Sequence, residues 1–191
     1  MSLTELLAAL LSAAGVWLTA KRQMACWPVS LVAALLYGWV FFTARLYADA
    51  ALQVVFCGCL LYGWWQWKTD SSQENATLHI RPLSAYTACA GLLTGLVCVG
   101  LWAFCLARFT DDPTPLADAM LSSYSIVAQL WAARRHTASW LMWIVIDTAY
   151  VLLFLTRGLY PTAVLYAVFI GLALQGFLRW RAAEQTDQRL G

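Results

Sequence analysis

Residues 46–67 read LYADAALQVVFCGCLLYGWWQW, and residues 159–180 read LYPTAVLYAVFIGLALQGFLRW. Aligned from their first residues, the two segments share Leu, Tyr, Ala, Val, Phe, Gly and Trp at equal positions. The same register continues upstream without a gap, so that residues 3–67 align on residues 116–180. Further identities in it are Arg22 with Arg135, Trp27 with Trp140, Tyr37 with Tyr150 and Phe41 with Phe154. Self-similarity at one fixed offset indicates a chain built from two copies of one unit.

The composition of the chain indicates an integral membrane protein. Of its 191 residues, 62% are hydrophobic and only 12% are charged, whereas a soluble domain carries about 25% charged residues. The net charge of +2 is too small to suggest binding to nucleic acid. The six Cys lie in or beside apolar segments and are interpreted as small apolar residues, so that no metal site, disulfide frame or cofactor is expected.

Seven apolar segments follow one another, each close to the roughly 20 residues that an α-helix needs to cross a bilayer. They are predicted as helices over residues 3–20, 26–46, 47–67, 83–107, 116–133, 137–156 and 158–180. The predicted fold class is therefore an all-α membrane protein with seven transmembrane helices.

The repeat divides these helices into three, one linker helix and three, a 3+1+3 arrangement. Three helices and the linker make an even number of crossings, so both repeats enter the membrane from the same side and are parallel. Parallel repeats are a known construction of secondary transporters, with the substrate near mid-membrane at the repeat interface. The predicted parts are a first repeat (1–67), a cytoplasmic loop with the linker helix (68–115), a second repeat (116–180) and a cytoplasmic tail (181–191).

The Lys and Arg residues predict the orientation. Positive charge accumulates in cytoplasmic loops, and one set of loops carries most of it. That set is Lys21, Arg22, Lys68, Arg81, Arg134, Arg135, Arg179, Arg181 and Arg189, against Arg45, Arg108 and Arg157 on the other side. The bias predicts an outer N-terminus and a cytoplasmic C-terminus.

Asp147 is the main candidate for a binding residue. It shares one helical face with Trp140, Trp143 and Tyr150, and it lies about 15 Å from the cytoplasmic helix start in a core of roughly 30 Å. A charged Asp there costs about 3 kcal/mol or more, which favours a cationic ligand or partner. A protonated or hydrogen-bonded structural Asp is the alternative. The first repeat has an alanine at the aligned position, Ala34.

Polar and aromatic side chains on other helices extend the candidate site. Helix 5 presents a polar stripe at helical spacing, which either lines a path or supplies hydrogen bonds between helices. Aromatic residues in the middle of a segment can stack on a flat or cationic ligand, or can simply pack. The candidates beyond the Asp147 face are Ser122, Ser125 and Gln129 on helix 5, Gln53 on helix 3 and Trp39 on helix 2.

Several stretches resemble the PnuC family of bacterial vitamin transporters, over nearly the whole chain. They are RLYADAALQ at 45–53, LYGWWQW at 61–67, the Asp118, Ser122, Ser125 and Gln129 series, and the Trp140, Trp143 and Asp147 series. The resemblance implies a seven-helix fold like that of the SWEET sugar transporters. It also implies that Trp140, Trp143 and Asp147, with Gln53 and Gln129, contribute to the ligand site.

The function that the resemblance implies is facilitated uptake of an unphosphorylated vitamin, most often nicotinamide riboside, across the bacterial inner membrane. A cytoplasmic vitamin kinase would then trap the product. Thiamine or another B vitamin stays an alternative, because nicotinamide riboside and thiamine are both cationic aromatics and Asp147 fits either. A sugar or other solute carrier on the same fold is the next hypothesis, and the sequence leaves a homo-oligomer open.

The chain is not expected to be an enzyme. It contains no phosphate-binding loop with a Gly-Lys-Ser/Thr ending, no His-Glu-x-x-His and no Gly-x-Ser-x-Gly, which are the usual signatures of ATP hydrolysis and of hydrolases. A membrane enzyme or assembly factor is therefore the weakest hypothesis. The partners expected are a small vitamin and the lipid bilayer.

Overall fold

The chain folds into α-helices joined by short connections. The computed structural model describes residues 3–73, 79–110, 114–156 and 158–190. The helices are α1 (Leu3–Ala20), α2 (Cys26–Thr43), α3 (Tyr47–Gln73), α4 (Ala85–Phe109), α5 (Pro115–Ala133), α6 (Ala138–Thr156) and α7 (Tyr160–Leu190). Each predicted helix is thus present. Arg157 and the side chain of Arg189, both used to predict orientation, lie outside the described part.

Five of these helices are long and apolar enough to cross a membrane, namely α1, α2, α4, α6 and α7. The other two, α3 and α5, carry more polar residues. Asp49 and Gln53 lie on α3, and Asp118 and Gln129 lie on α5. These polar residues line the cavity described below.

Two predicted helix ends are wrong by several residues. Helix α3 continues to Gln73 and α7 continues to Leu190, although the apolar pattern stops at Trp67 and Trp180. The extensions are held by polar contacts that an apolar pattern does not register. The Arg135 side chain pairs with Asp70 on α3, and the Thr137 hydroxyl donates to Glu184 on α7 over 2.7 Å.

Four helix ends at matching repeat positions are closed in the same way. Arg22 and Arg135 have positive φ angles of 58° and 64°, and Arg45 and Gly158 have 62° and 72°. A residue with this backbone at the helix terminus allows the next N–H to reach back to a carbonyl five residues earlier, as in the Schellman motif. Those bonds run from Gln23 to Leu18, Leu46 to Phe41, His136 to Trp131 and Leu159 to Phe154. The motif ends α2 at Thr43, before its predicted end at residue 46.

The helices α1, α2, α3, α5, α6 and α7 contact one another in that order, and α7 returns to α1. They form a closed ring, and α4 lies outside it against α5. Two of these contacts, α3 with α5 and α7 with α1, join residues of the first aligned segment to residues of the second. A ring of this kind leaves space along its axis, and that space is where the candidate site lies.

Four tryptophans fill one end of the ring, and we call them the tryptophan layer: Trp27, Trp67, Trp140 and Trp180. Trp27 meets Trp67 edge to face with ring centroids 5.1 Å apart, and Trp140 meets Trp180 in the same way at 5.3 Å. Trp67 and Trp180 are fully buried and contact each other at 6.2 Å. Because buried aromatic pairs are packed this tightly, the layer closes that end of the ring.

Beyond the tryptophan layer lies a polar network that binds together three segments. The buried Arg135 side chain pairs with Asp70, which also lies 3.8 Å from Arg81. The backbone N–H of Arg81 donates to the Arg135 carbonyl over 3.1 Å, and His136 Nδ1 lies 3.1 Å from the Arg81 carbonyl. The segment before α4 is thereby fixed across the α5–α6 turn.

Candidate functional site

A cavity of about 1150 Å³ occupies the axis of the ring. All seven helices contribute lining residues. Lining residues around the α2–α3 and α6–α7 turns and the end of α4 are exposed, and we call them the mouth: Leu46, Tyr47, Phe109 and Leu159. At the opposite end the lining residues Trp27, Ser139 and Trp140 are buried. The cavity is therefore wide enough for a small organic ligand, with its mouth at one end and the tryptophan layer at the other.

Of the nine residues proposed from the sequence, eight line this cavity. They are Gln53, Ser122, Ser125, Gln129, Trp140, Trp143, Asp147 and Tyr150. Trp39 is the exception, because its side chain is 63% exposed on the outside of α2 and does not line the cavity. A position in the middle of an apolar helix does not reveal which face a side chain occupies when every face of that helix is apolar.

Asp147 is buried, with 5% exposure, and its side chain lines the cavity from α6. Within the part of the chain that the structure describes, no hydrogen bond or ion pair to its carboxylate is found. A buried carboxylate without a partner is costly, and inside a membrane protein it marks a ligand or ion site. Its repeat counterpart Ala34 also lines the cavity and is also buried, so the carboxylate is on one side of the axis only.

Aromatic rings surround the region between Asp147 and the mouth. Tyr150 stacks on Phe154 with centroids 5.7 Å apart, and it meets Tyr166 at 4.7 Å. Tyr166 also contacts Phe154 at 5.2 Å and Phe169 at 5.6 Å. These rings line the cavity together and offer flat surfaces against which an aromatic ligand can pack.

Sequence reasoning missed Tyr166, Phe154 and Phe169 as cavity residues. For Phe154 a signal was available in the repeat, because Tyr150 and Phe154 recur as Tyr37 and Phe41. Each pair stacks, at 5.7 and 5.8 Å. Both pairs line the cavity, so the duplicated aromatics belong to its wall.

The polar stripe of α5 is partly used within the protein. The Ser125 hydroxyl donates to the Leu121 carbonyl of its own helix over 2.7 Å, and the Thr114 hydroxyl donates to Asp118 over 3.1 Å. Ser122 is buried and lines the cavity. All four residues of the stripe line the cavity, and the two hydrogen bonds described here are local to α5 and do not join it to another helix.

The charge of the cavity wall is strongly one-sided. Among the described residues, the carboxylates of Glu5, Asp49, Asp118 and Asp147 line it, and Arg45 is the basic residue of the lining. A cleft lined by one sign of charge concentrates ligands of the opposite sign. The wall therefore favours a cation and opposes a phosphate group.

A ring of helices around a cavity that is acidic, aromatic and open at one end defines the class of membrane transport proteins. The model of the family described as "Nicotinamide mononucleotide transporter" matches residues 2–182, and the chain belongs to that family. The resemblance to the PnuC family is thereby confirmed. The chain is a multi-pass transport protein of the bacterial inner membrane and not an enzyme.

Named relatives agree with this assignment. The chain is 29% identical over 174 residues to the nicotinamide riboside transporter PnuC of Escherichia coli (strain K12), covering 78% of this chain and 73% of the relative. It is also 29% identical over 177 residues to the riboflavin/roseoflavin transporter RibM of Streptomyces davaonensis, covering 88% and 80%. A crystal structure of the vitamin B3 transporter PnuC superposes with a TM-score of 0.78 at 18% identity, covering 96% of this chain and 82% of that one, which shows a shared fold.

Proposed function

We propose that the protein carries an unphosphorylated vitamin with a cationic aromatic ring, most specifically nicotinamide riboside, by facilitated transport across the bacterial inner membrane. The observation that carries this proposal is the buried Asp147, which has no hydrogen bond or ion pair among the described residues and lies on the same cavity wall as Trp143. A carboxylate beside an indole face is suited to a pyridinium ring, which gains an ionic and a cation–π interaction at once.

The acidic wall supports a riboside over a mononucleotide. The family description names a mononucleotide, whereas the E. coli relative is named for the riboside. A phosphate carries about two negative charges near neutral pH. It would enter a wall whose described residues include four carboxylates and one guanidinium. Like charges in a low-dielectric site repel by several kcal/mol. The same charges support trapping by a cytoplasmic kinase, because the phosphorylated product would no longer fit the acidic wall.

A different B vitamin is the second candidate. One relative is named for riboflavin and roseoflavin, and thiamine is a cationic aromatic of similar size. Asp147 favours either cation over a neutral flavin or a sugar, because a neutral ligand would leave the carboxylate unpaired.

We further propose that the helices form a 3+1+3 arrangement of two parallel repeats, residues 1–67 and 116–180, with residues 68–115 between them and 181–191 after them. The equivalent Schellman motifs, the equivalent tryptophan pairs and the closed ring support this arrangement. The Lys and Arg bias supports an outer N-terminus and a cytoplasmic C-terminus. In that orientation the mouth faces outward and the tryptophan layer faces the cytoplasm.

Uptake into proteoliposomes tests the proposed function. Labelled nicotinamide riboside is expected to equilibrate across the membrane without ATP or an ion gradient, and unlabelled riboside is expected to compete. Nicotinamide mononucleotide, thiamine, riboflavin and glucose serve as competitors in parallel. Stronger competition by thiamine or riboflavin than by the riboside would assign the alternative vitamin. Competition by the mononucleotide equal to that by the riboside would refute the argument from charge.

A further inference from the structure

A second, smaller cavity lies in the polar network beyond the tryptophan layer, and we call it the basic pocket. Its volume is about 170 Å³, whereas pockets that enclose a whole small organic ligand start at about 300 Å³. The lining residues come from α3, the segment before α4 and the α5–α6 turn. They are Tyr62, Gln66, Asp70, Arg81, Arg134 and His136. The basic pocket therefore suits one small chemical group and not a whole vitamin.

The charge of the basic pocket is opposite to that of the large cavity. Among its described lining residues, the guanidinium groups of Arg81 and Arg134 accompany one carboxylate, that of Asp70. This carboxylate is already bound, because Arg135 pairs with it and the Gln66 amide donates to it over 3.3 Å. Since a cleft with an excess of one charge attracts the opposite charge, the basic pocket favours an anion.

Arg134 is held at the pocket with unused donors. Its Nε–H donates to the Tyr62 hydroxyl over 3.3 Å, which fixes the guanidinium group against α3. Among the described residues, no hydrogen bond or ion pair from its two terminal amino groups is found. The aligned cation of the first copy, Lys21, instead lies 3.4 Å from the centre of the Trp17 ring. Arg134 thus keeps the planar pair of donors that matches the oxygens of a phosphate.

Arg81 is anchored by its backbone at the rim of the same pocket. Its N–H donates to the Arg135 carbonyl over 3.1 Å, and its carbonyl lies 3.1 Å from His136 Nδ1. The guanidinium group is 3.8 Å from Asp70, which is longer than a hydrogen bond, and the side chain is 58% exposed. Two guanidinium groups beside one small pocket repel each other. An anion between Arg81 and Arg134 removes that repulsion.

We propose that the basic pocket binds one phosphate group between Arg81 and Arg134. Because both cations are positioned by the protein before binding, less entropy is lost when the phosphate enters. Two sources share this chemistry, namely the headgroup of an anionic phospholipid and a soluble phosphate or phosphate ester. The site is separate from the vitamin cavity, so it goes beyond the proposed function. In the proposed orientation it faces the cytoplasm.

Thermal unfolding of the purified full-length protein tests the site for soluble phosphate. The protein is delipidated in a neutral detergent, and inorganic phosphate is titrated at constant ionic strength with chloride as the reference anion. Native mass spectrometry before delipidation tests the lipid source by counting the phosphatidylglycerol molecules that stay bound. The test variants are Arg81→Gln and Arg134→Gln. The matched control is Lys21→Gln, which removes the same charge from the position that aligns with Arg134.

Phosphate at about ten times its dissociation constant is expected to raise the melting temperature of the wild-type protein by about 3–6 °C. Each test variant is expected to bind phosphate about tenfold more weakly, which is the order of one charge-assisted hydrogen bond. The Lys21→Gln control is expected to keep the wild-type affinity. If the source is a lipid, one phosphatidylglycerol stays on the wild-type protein and the control and is lost from both test variants.

Three results would overturn the site. The first is a wild-type protein that shows neither a phosphate-dependent shift nor a retained phosphatidylglycerol. The second is wild-type phosphate and lipid binding in both test variants. The third is an equal loss in the control, because the anion would then respond only to net charge. Arg81 and Arg134 are exposed, and if one variant fails to fold the other decides. Since no measurement uses riboside, failure of the site leaves the proposed function standing.

Discussion

The two aligned segments of this protein share a scaffold and differ in chemistry. Edge-to-face tryptophan pairs occur in both, at 5.1 Å and 86° in the first and 5.3 Å and 89° in the second. The stacked tyrosine–phenylalanine pairs agree as closely, at 5.8 Å and 18° against 5.7 Å and 11°. In contrast to these matching pairs, Ala34 aligns with Asp147, and Ser30 aligns with Trp143. Packing residues are duplicated, whereas the carboxylate of Asp147 and the indole of Trp143 at the cavity wall are not.

The two copies differ at the cavity wall and agree where side chains are packed on every side. A residue that closes a helix or fills the tryptophan layer has neighbours on every side, and a change there costs packing energy in that copy. A residue at the cavity wall has open space on one side, so its size and charge can change. An asymmetric ligand on the axis between the copies needs that freedom, because its two faces are chemically different.

The largest expected effect is a difference in stability between variants at the aligned positions Arg135 and Arg22. Both have a positive φ, so Arg→Ala changes the backbone cost equally. Arg135 is 3% exposed and pairs with Asp70, and removal of one partner from a buried pair costs about 3 kcal/mol or more. Arg135→Ala is therefore expected to lower the melting temperature in detergent more than Arg22→Ala. Equal losses would mean that the Arg135–Asp70 pair adds no more to stability than the contacts that Arg22 makes.

The second prediction puts the first copy's residue into the second. Asp147→Ala removes the carboxylate and leaves the alanine that the first copy has as Ala34. Riboside uptake is then expected to fall about 10- to 100-fold, because a charged hydrogen bond of about 1.5–3 kcal/mol is lost. Thr148→Ala is the control, because Thr148 is exposed and its hydroxyl donates to the Ile144 carbonyl of its own helix. Uptake by Asp147→Ala at the rate of this control would remove Asp147 from the site.

The third prediction concerns the stacking surface. Trp143→Ser also installs the residue of the first copy, Ser30, and is expected to weaken riboside binding about tenfold, which is the order of a ring–ring or cation–π contact. Trp39→Ala removes an indole of the same size from the outside of α2 and is expected to leave the dissociation constant unchanged. The two constants are compared by calorimetry, and a reversed order would place the ligand outside the cavity.

The smallest expected effect is on the pH dependence of stability, and it concerns His136, which aligns with Gln23 in the first copy. Burial, and the nearby Arg134 and Arg81 charges, lower the pKa of His136, while the bond from Nδ1 to the Arg81 carbonyl opposes that shift. The unfolded chain then binds a proton more readily than the folded chain below about pH 6.5, so stability falls as the pH falls through that range.

His136→Gln is expected to reduce this pH dependence, measured as the difference in melting temperature between about pH 8 and about pH 5. The parent protein, measured in parallel, is the reference for that difference. An unchanged difference in the variant would assign the acid sensitivity to other groups.

The sequence predicted the number and order of the helices, because each is a long apolar segment and the repeat tied the two sets together. It also predicted most of the cavity wall on α6, where an acid in an apolar helix stands out. It could not place Trp39, since an all-apolar helix carries no signal for the face that meets the cavity. The polar extensions of α3 and α7 were missed because Asp70 and Glu184 are held by residues distant in the chain.

The Schellman motifs and the aromatic wall show a second limit. A positive φ at an arginine depends on the turn that the chain must make, and nothing in the residue type announces it. Tyr166 aligns with Gln53, so the repeat alone did not mark it as aromatic wall. Its place against Tyr150 and Phe169 follows from how α6 and α7 pack, which is a tertiary property.

The tryptophan layer has a kinetic consequence. While it is intact, the described residues close the cavity at that end, and we expect a ligand to enter and leave through the mouth. We expect passage across the membrane to require opening of the bonds from Trp67 to Ala133, from Trp180 to Thr19 and from Arg135 to Asp70. Each of these bonds joins one half of the chain to the other. We therefore expect turnover to be limited by the simultaneous loss of these bonds, so that ligand exchange at the mouth is fast and crossing is slow.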